Sequence, residues 1–350
     1  MTPEALVYLH EGLDSLQKNS IKREQIDWQA LRQEVCALVE EAQTPADTYP
    51  ALEIALKRLG DHHSFFRDPS KHHLLQAGKV QQFGLTPSYP EGIVGVVAPG
   101  SPAEQAGVQV GDRIERINDQ PFATLTREQF KLALRQAQLN LTLFPAQQEA
   151  MRQVHLQATP FSALTLPQGQ RLAHAIGYLN LPGFLGSREQ NKTYAETAQR
   201  LIGEIDQATT CGWVIDLRGN TGGNMWPMVA GVGPILGEGA WVAFEAPWEK
   251  RVAFYRGGQA GIEPDEVLSE VDQPTHLKRP EPPVAVLTSR LTASSGEFTA
   301  LAFWGLPRVR TFGEPTAGLP TANRRIELSD GAMIALTVSL GADRTGRVYE

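Results

Sequence analysis

The chain has 350 residues, a formal net charge of −7 and 20% charged residues, as ordinary globular proteins of two or three domains do. The negative charge argues against a nucleic-acid-binding face, and no run approaches the ~20 apolar residues of a membrane span. The start of the chain lacks the basic and apolar stretches of a signal peptide. Its two cysteines, Cys36 and Cys211, fit no metal spacing, and we expect neither a metal nor a cofactor.

Residues 1–78 form the first predicted domain, which is helical. Apolar residues recur at helical spacing within residues 5–39, and residues 44–47 (Thr-Pro-Ala-Asp) have the hydroxyl cap, proline and acid of a helix start. Gly60 ends the last of these helices. The loop Asp61-His62-His63-Ser64 follows. It is either a polar surface loop or a source of a proton acceptor, because histidine exchanges protons near neutral pH.

Residues 79–160 are predicted to form a separate, β-rich domain. Residues 101–104 (Ser-Pro-Ala-Glu) make a capping box, and Thr126 with Gln129 makes a second one, so each pair predicts a helix start. Between these helices, Gly111-Asp112 turns into a strand of alternating apolar and polar residues.

This domain resembles a PDZ domain of the bacterial protease type. The resemblance rests on residues 100–107 (Gly-Ser-Pro-Ala through Gly) and 110–114 (Val-Gly-Asp-Arg-Ile). It implies a module that binds an extended chain end by adding it as a strand. Gln82-Phe83-Gly84-Leu85 resembles the loop that receives the terminal carboxylate, so Phe83, Gly84 and Leu85 are implied to bind substrate. The alternative is a small β-rich domain without a ligand.

From residue 161 to residue 350 the pattern alternates strands and helices. Residues 213–217 predict a buried strand, and the glycine-rich turn 218–224 follows it and opens a helix. Such turns commonly bind anions, and their glycine N–H groups can face a developing oxyanion. The turn lacks the Lys-Ser/Thr ending of a P-loop, so a nucleotide is not expected. Residues 255–282 are polar and contain Pro and Gly, which predicts a long surface loop.

A second strand-to-helix turn lies at residues 291–297 (Leu-Thr-Ala-Ser-Ser-Gly-Glu). The apolar run 284–287 predicts a buried strand, and the apolar run 298–304 predicts a buried helix. Ser294 therefore lies at a helix start, where backbone N–H groups have no intrahelical partner. Its hydroxyl is either a helix cap or a nucleophile next to a built-in anion site.

Four stretches in this order resemble the C-terminal processing (tail-specific) peptidases and the core of the tricorn protease. They are residues 59–64, the PDZ-like module, residues 214–223, and residues 292–297 together with 313–316. The resemblance covers nearly the whole chain. It implies an α/β (α+β) fold with a crotonase/ClpP-like ββα protease core, a helical N-terminal region and an inserted PDZ domain.

The resemblance also implies a serine endopeptidase that hydrolyses peptide bonds of protein substrates. The matching nucleophile is Ser294, three residues before the acid of the Ser-x-x-Glu turn. The implied oxyanion hole consists of the N–H groups of Ser295 and Gly223. The implied partners are peptides or unfolded protein C-termini, held by the PDZ domain.

The base departs from the common pattern of this family. Many relatives use a lysine, but the matching residue here is Leu319, which cannot take a proton. The tricorn-like branch uses a histidine from the N-terminal region, which implies His63, with His62 as the close alternative. That branch also uses a late glutamate that holds the catalytic apparatus in place. The resemblance implies Glu350 for this role, as the residue that fixes the imidazole tautomer. Because relatives continue with another strand, we expect the native chain to extend beyond Glu350.

Two other functions stay open from the sequence. A catalytically inactive peptide-binding protein on the same scaffold is favoured by Leu319. An acyl-CoA enzyme is the third candidate, since crotonases share the core, but it needs neither a PDZ module nor a serine at the helix start. The sequence decides neither the oligomeric state nor the compartment, although the family is often exported to the periplasm or cell envelope.

Overall fold

The structure is a computed structural model that describes residues 1–147, 150–187 and 189–350. Its α-helices are α1 (Pro3–Asn19), α2 (Trp28–Leu38), α3 (Tyr49–Arg58), α4 (Pro69–Gln76), α5 (Pro102–Gln105), α6 (Arg127–Ala133), α7 (Gln190–Ile205), α8 (Met225–Leu236) and α9 (Ser295–Phe303). Its β-strands are β1 (Phe65–Arg67), β2 (Lys79–Gln82), β3 (Leu85–Pro87), β4 (Val94–Val97), β5 (Arg113–Ile117), β6 (Gln120–Pro121), β7 (Gln138–Phe144), β8 (Arg152–Gln157), β9 (Thr159–Ser162), β10 (Gln168–Leu172), β11 (Ile176–Asn180), β12 (Gly212–Asp216), β13 (Gly239–Ala246), β14 (Glu249–Arg256), β15 (Gln259–Ile262), β16 (Glu266–Glu270), β17 (Val284–Thr288), β18 (Val309–Gly313), β19 (Thr321–Glu327), β20 (Met333–Asp343) and β21 (Val348–Tyr349).

The chain divides into two compact units. Unit 1 contains residues 1–73, 240–253 and 318–350, and unit 2 contains residues 74–239 and 254–317. No helix among the described residues is both long enough and apolar enough to cross a lipid bilayer.

Unit 1 packs the N-terminal helices on one face of an antiparallel sheet. Its longest strand, β20, pairs with β1, β13, β19 and β21. Leu9 and Leu13 of α1, Leu52 of α3, and Ile334 and Leu336 of β20 are completely buried and form part of the core. The helical N-terminal region predicted from the sequence is therefore present, and β19 and β20 form an antiparallel hairpin beside it.

Unit 2 contains a five-stranded sheet in the order β10-β11-β12-β17-β18. The last four strands are parallel, and β10 is antiparallel to β11. Ile215 and Val286 on the two central strands are completely buried. Because β12 and β17 are direct neighbours, the turns at their carboxyl ends meet at the same edge of the sheet.

Unit 2 also contains the β-rich module that the sequence predicted before this sheet. Strands β6-β5-β7-β8 form one sheet, and β3 pairs with β4. Leu139, Leu141 and Leu143 alternate inward along β7 and fill the module's own core. The two helix starts predicted here, Ser101 and Thr126, are the N-caps of α5 and α6.

Residues 255–282 are not one long surface loop, as the sequence analysis expected. β15 and β16 lie within this range and pair antiparallel, with a register shift between Ala260 and Gly261. Ala260 and Ile262 are buried. The prediction failed because a glycine that marks a bulge inside a strand has the same appearance in a sequence as a glycine in a loop.

Candidate active site

Ser294 lies in a strained turn between β17 and α9. Its backbone has φ 54° and ψ −118°, outside the extended region that helix caps normally adopt. The turn has the capping-box arrangement, in which the N–H of Ser294 donates to the Glu297 carboxylate at 2.7 Å. This bond uses the backbone of Ser294 and not the hydroxyl that the cap interpretation concerns. A helix cap does not need a positive φ, and residues held in such conformations cluster at functional sites.

The Glu297 carboxylate holds this turn in place through two hydrogen bonds. Its side chain is buried, with 3% of the residue exposed. One oxygen accepts from the Ser294 N–H, and the other accepts from the Thr316 hydroxyl at 2.7 Å. The Ser-x-x-Glu stretch and the stretch that ends at Thr316 were both singled out in the sequence, and this carboxylate joins them.

The glycine turn after β12 approaches the Ser294 turn at backbone distance. Gly222 and Gly223 have φ values of +100° and +117°. A β-carbon on Gly222 would lie 2.9 Å from the β-carbon of Ser294, and one on Gly223 would lie 2.0 Å from the Phe184 carbonyl oxygen. Only glycine fits either position without displacing its neighbours.

Hydrogen bonds tie the two turns together. The Ser295 hydroxyl donates to the Gly223 carbonyl at 2.7 Å, and the Ala293 N–H donates to the Asn220 carbonyl at 3.0 Å. Among the described residues, the N–H groups of Gly223 and Ser295 find no acceptor. Both predicted oxyanion donors thus lie in turns that are hydrogen-bonded to each other, one of which carries Ser294. Within the described residues, both N–H groups can still bind a ligand.

Asn220 organises this arrangement, and the sequence analysis assigned it no role. It is completely buried. Its amide donates to the Leu181 carbonyl at 3.0 Å, and its side-chain oxygen accepts from the Gly222 N–H at 3.0 Å. A β-carbon on Gly296 would lie 2.5 Å from its carbonyl oxygen. The sequence does carry a signal for this role, which is the position of Asn220 between two glycines of a turn. Asparagine side chains often form hydrogen bonds with backbone groups in turns.

Asp216 and Arg218 form an ion pair at the base of the glycine turn. The Arg218 guanidinium donates to both Asp216 oxygens, at 3.0 and 2.6 Å, and the Tyr178 hydroxyl donates to Oδ2 at 2.7 Å. Burial opposes ionisation, but the hydrogen bonds from Arg218 and Tyr178 hold the pKa of Asp216 below its usual value. This pair stabilises the start of the turn.

In unit 1, the loop that carries His63 is anchored to β19 and β20. The Asp61 carboxylate accepts from the N–H groups of His63 and Ser64, at 3.0 and 2.7 Å. The Asn323 amide donates to the His63 carbonyl at 3.0 Å, and the Thr337 N–H donates to the Ser64 hydroxyl at 2.9 Å. The loop is therefore a built structure rather than a solvated connection.

The His63 ring has one close polar neighbour in unit 1. Its Nδ1 atom lies 2.6 Å from the Thr321 hydroxyl oxygen. Burial lowers the pKa of His63, although the Asp61 charge acts in the opposite direction. A neutral imidazole is the form that accepts a proton. His62, the alternative base, is exposed, has φ 59°, and its ring makes no hydrogen bond within the described residues.

Glu350 does not occupy the position that the sequence analysis expected for it. It is exposed and makes no hydrogen bond or ion pair with the described residues. β21 folds back on β20, and the Tyr349 hydroxyl donates to Asp343 at 2.7 Å. The group at the ring nitrogen of His63 is Thr321 instead. Thr321 follows Leu319 by two residues, and the sequence analysis missed it.

In the PDZ-like module, the carbonyls of residues 83–84 point inward. The Phe83 carbonyl accepts from Ala103 at 2.9 Å, and the Gly84 carbonyl accepts from Ala98 at 2.7 Å. Phe83 and Leu85 are buried, whereas the Gly84 N–H has no acceptor in the described part of the chain. β3 pairs only with β4 among the described strands, so its other edge has no partner strand there. An unpaired edge of this kind can accept an added strand.

Comparison with known proteins assigns the family. The profile of peptidase family S41 matches residues 175–350, and the profile of the PDZ domain matches residues 93–143. The chain belongs to peptidase family S41. The resemblance to C-terminal processing peptidases is thereby confirmed, and so is the predicted PDZ domain.

Individual proteins are also similar to this chain in sequence. The chain is 33% identical to the nisin-resistance protein of Lactococcus lactis subsp. lactis over 174 residues, which are 49% of this chain and 52% of that one. It is 27% identical to the chloroplastic carboxyl-terminal-processing peptidase 2 of Arabidopsis thaliana over 324 residues, which are 86% and 58% of the two chains. The chain thus spans between half and three-fifths of the length of these relatives.

The S41 fold is also found among solved structures. The photosystem II D1 C-terminal processing protease superposes with a TM-score of 0.64 and 24% identity, over 99% of this chain and 90% of that one. This likeness confirms the predicted fold class, a mixed α/β protease core with N-terminal helices and a PDZ domain.

Proposed function

We propose that this S41 family member is a serine endopeptidase with Ser294 as its nucleophile and His63 as its base. The observation that carries the proposal is the Ser294 turn. There a strained serine lies against a glycine turn, and two backbone N–H groups have no acceptor in the described part of the chain. Such an arrangement suits a reaction in which negative charge develops on an oxygen.

The reaction follows from these groups. His63 takes the proton of the Ser294 hydroxyl as its oxygen attacks the peptide carbonyl carbon. The carbonyl oxygen becomes an oxyanion and accepts from the N–H groups of Ser295 and Gly223, each of which contributes about 3 kcal/mol. His63 then gives its proton to the leaving amine. Water hydrolyses the acyl-enzyme by the same steps, and Ser294 regains its proton.

The Thr321 hydroxyl can accept from the imidazole tautomer that this reaction needs. When Nδ1–H donates to the Thr321 oxygen, the proton is on Nδ1 and the lone pair of Nε2 is free to act as base. Burial keeps the pKa of His63 below its usual value, so the ring is neutral at pH 7. Thr321 thereby takes the orienting role that the sequence analysis gave to Glu350.

The PDZ domain binds the substrate in this proposal. We propose that a protein C-terminus adds to the open edge of β3 and that its carboxylate accepts from the backbone N–H groups of residues 83–85. The inward carbonyls of Phe83 and Gly84 support this, because they leave the N–H side of the loop for a ligand. The substrate class is then proteins with an unstructured end.

The test is hydrolysis of an unfolded protein by the purified chain, followed by mass spectrometry of the fragments. Ser294→Ala should lose activity by several orders of magnitude. The control is Ser329→Ala, in the exposed β19–β20 turn, which should retain activity. Equal cleavage by Ser294→Ala would refute the assignment. Tight peptide binding by a wild-type chain that cleaves nothing would instead establish the peptide-binding function that Leu319 suggested.

A further inference from the structure

Two arginines lie on the same face of the unit 1 sheet, one on each side of β20. Arg67 on β1 pairs with Met333, and Arg325 on β19 pairs with Ala335. Met333 and Ala335 are two residues apart on one strand, so both arginines project to the same face. With strands about 4.8 Å apart, the two Cα atoms are about 12 Å apart, a separation that two arginine side chains can span.

The Arg67 guanidinium lies near the Phe65 ring, two residues back on the same strand. Its Cζ atom lies 5.3 Å from the centroid of the Phe65 ring. Phe65 pairs with Ala335, the residue with which Arg325 pairs from the other side. Burial and the Arg325 charge lower the pKa of Arg67, while the Asp68 charge raises it. Together with the strand register, this indicates that the two positive charges lie near each other.

Neither guanidinium is neutralised within the described residues, where neither donates a hydrogen bond or forms an ion pair. The nearby acids are engaged elsewhere: Asp68 binds Lys71 at 2.9 Å, and Glu327 binds His72 at 3.1 Å. Arg67 is half-buried and Arg325 is exposed. A half-buried guanidinium without a protein acceptor gives up part of its hydration and gains no hydrogen bond in exchange. Its planar fork of donors matches a carboxylate, which would also relieve the repulsion.

We propose that Arg67 and Arg325 bind a carboxylate of the peptide substrate, which is either an acidic side chain or the C-terminal carboxylate. The proposal rests on the peptidase function proposed above. It adds a second anion site, distinct from the PDZ loop, on the sheet to which the His63 loop is anchored.

The strand register predicts how far the bound carboxylate lies from the bond that is cleaved. Arg325 is two residues from Asn323, which holds the His63 carbonyl, and is therefore about 7 Å farther along the strand. Arg67 is four residues after His63, a span of at most about 13 Å. An extended substrate covers these distances in two to four residues. The bound carboxylate is therefore two to four residues from the bond that is cleaved.

The experiment measures kcat/KM of the wild type and of arginine variants on two pairs of peptides. The peptides of the first pair differ only in having a free or an amidated C-terminus. Those of the second pair differ only in having Glu or Gln at one position. In each pair the varied group is two to four residues from the cleaved bond. For one pair, the wild type should prefer the carboxylate form about tenfold in kcat/KM, as charge-assisted hydrogen bonds give. Arg67→Gln and Arg325→Gln should abolish that preference. The pair that responds identifies the source of the carboxylate.

Arg324→Gln is the matched control, because Arg324 is the next residue on β19 and projects to the opposite face, where it bonds Asn19. It should keep the wild-type preference. Loss of one unpaired charge should also leave the melting temperature unchanged or raise it, whereas loss of a structural contact would lower it. Any carboxylate binding at the PDZ loop is common to all variants and cancels in the comparison.

A binding arm separates this proposal from the peptidase proposal. The same peptides are titrated by fluorescence anisotropy against Ser294→Ala, with and without Arg67→Gln. If nothing is cleaved but affinity depends on both the carboxylate and Arg67, the subsite stands and the peptidase proposal fails. If peptides are cleaved and neither kcat/KM nor affinity responds to Arg67 or Arg325, the subsite is refuted.

Discussion

Replacing Thr321 with valine tests the proposed geometry of the base most closely. Valine keeps the shape of threonine and removes the only hydroxyl within reach of His63 Nδ1 in unit 1. A neutral hydrogen bond contributes about 0.5–1.5 kcal/mol net. Because 1.36 kcal/mol corresponds to tenfold in rate, kcat/KM should fall roughly 2- to 13-fold.

The pH profile of kcat/KM distinguishes this effect from general loosening. For the wild type, activity should fall on the acid side with a midpoint below 6.5, because burial lowers the pKa of His63. In Thr321→Val the imidazolium loses an acceptor at Nδ1, so the midpoint should move to still lower pH. A loosened loop would hydrate the ring and move the midpoint up, toward 6.5.

Thr321→Ser is the control, since it restores a hydroxyl on the same carbon and should recover most of the lost rate. The reasoning is refuted if Thr321→Val has the rate and the acid midpoint of the wild type. It is also refuted if the serine variant is as slow as the valine variant, because the hydroxyl would then not be the relevant group.

Three further changes have defined outcomes. Gly223→Ala places a β-carbon 2.0 Å from the Phe184 oxygen, so the donor must move and activity should fall about 10²- to 10³-fold, with folding checked by circular dichroism. Burial raises the pKa of Asp216, but Arg218 lowers it more and holds it below 3.8. The ionised Asp216 therefore stabilises the folded protein above that pH, and this stabilisation is lost as the pH falls through the lowered pKa. Acid unfolding of Asp216→Asn should lack this component. Glu350→Gln should change kcat/KM less than twofold, and a larger loss would restore its predicted role.

The local parts of the site could be predicted from the sequence. The Ser294–Glu297 contact spans three residues, and the spacing of a capping box is enough to predict it. The neighbouring position of the two turns followed from the family resemblance, and the pairing of β12 with β17 agrees with it.

The long-range parts could not be predicted in the same way. The contact between His63 and Thr321 spans 258 positions, and nothing in the spacing of either stretch indicates it. The expected partner, Glu350, was chosen from its place in a family pattern, but β21 turns back on β20 and leaves it exposed. The Arg67–Arg325 pair likewise depends on the register of two strands with a common neighbour.

Covalent labelling of the native protein with a fluorophosphonate probe tests the central claim, that His63 activates Ser294, most directly. Mass spectrometry should locate the label on Ser294 in the wild type, find none in Ser294→Ala, and find strongly reduced labelling in His63→Ala. His62→Ala, the matched control one residue away, should label like the wild type. Equal labelling of the wild type and His63→Ala, or a label on another serine, would contradict the account.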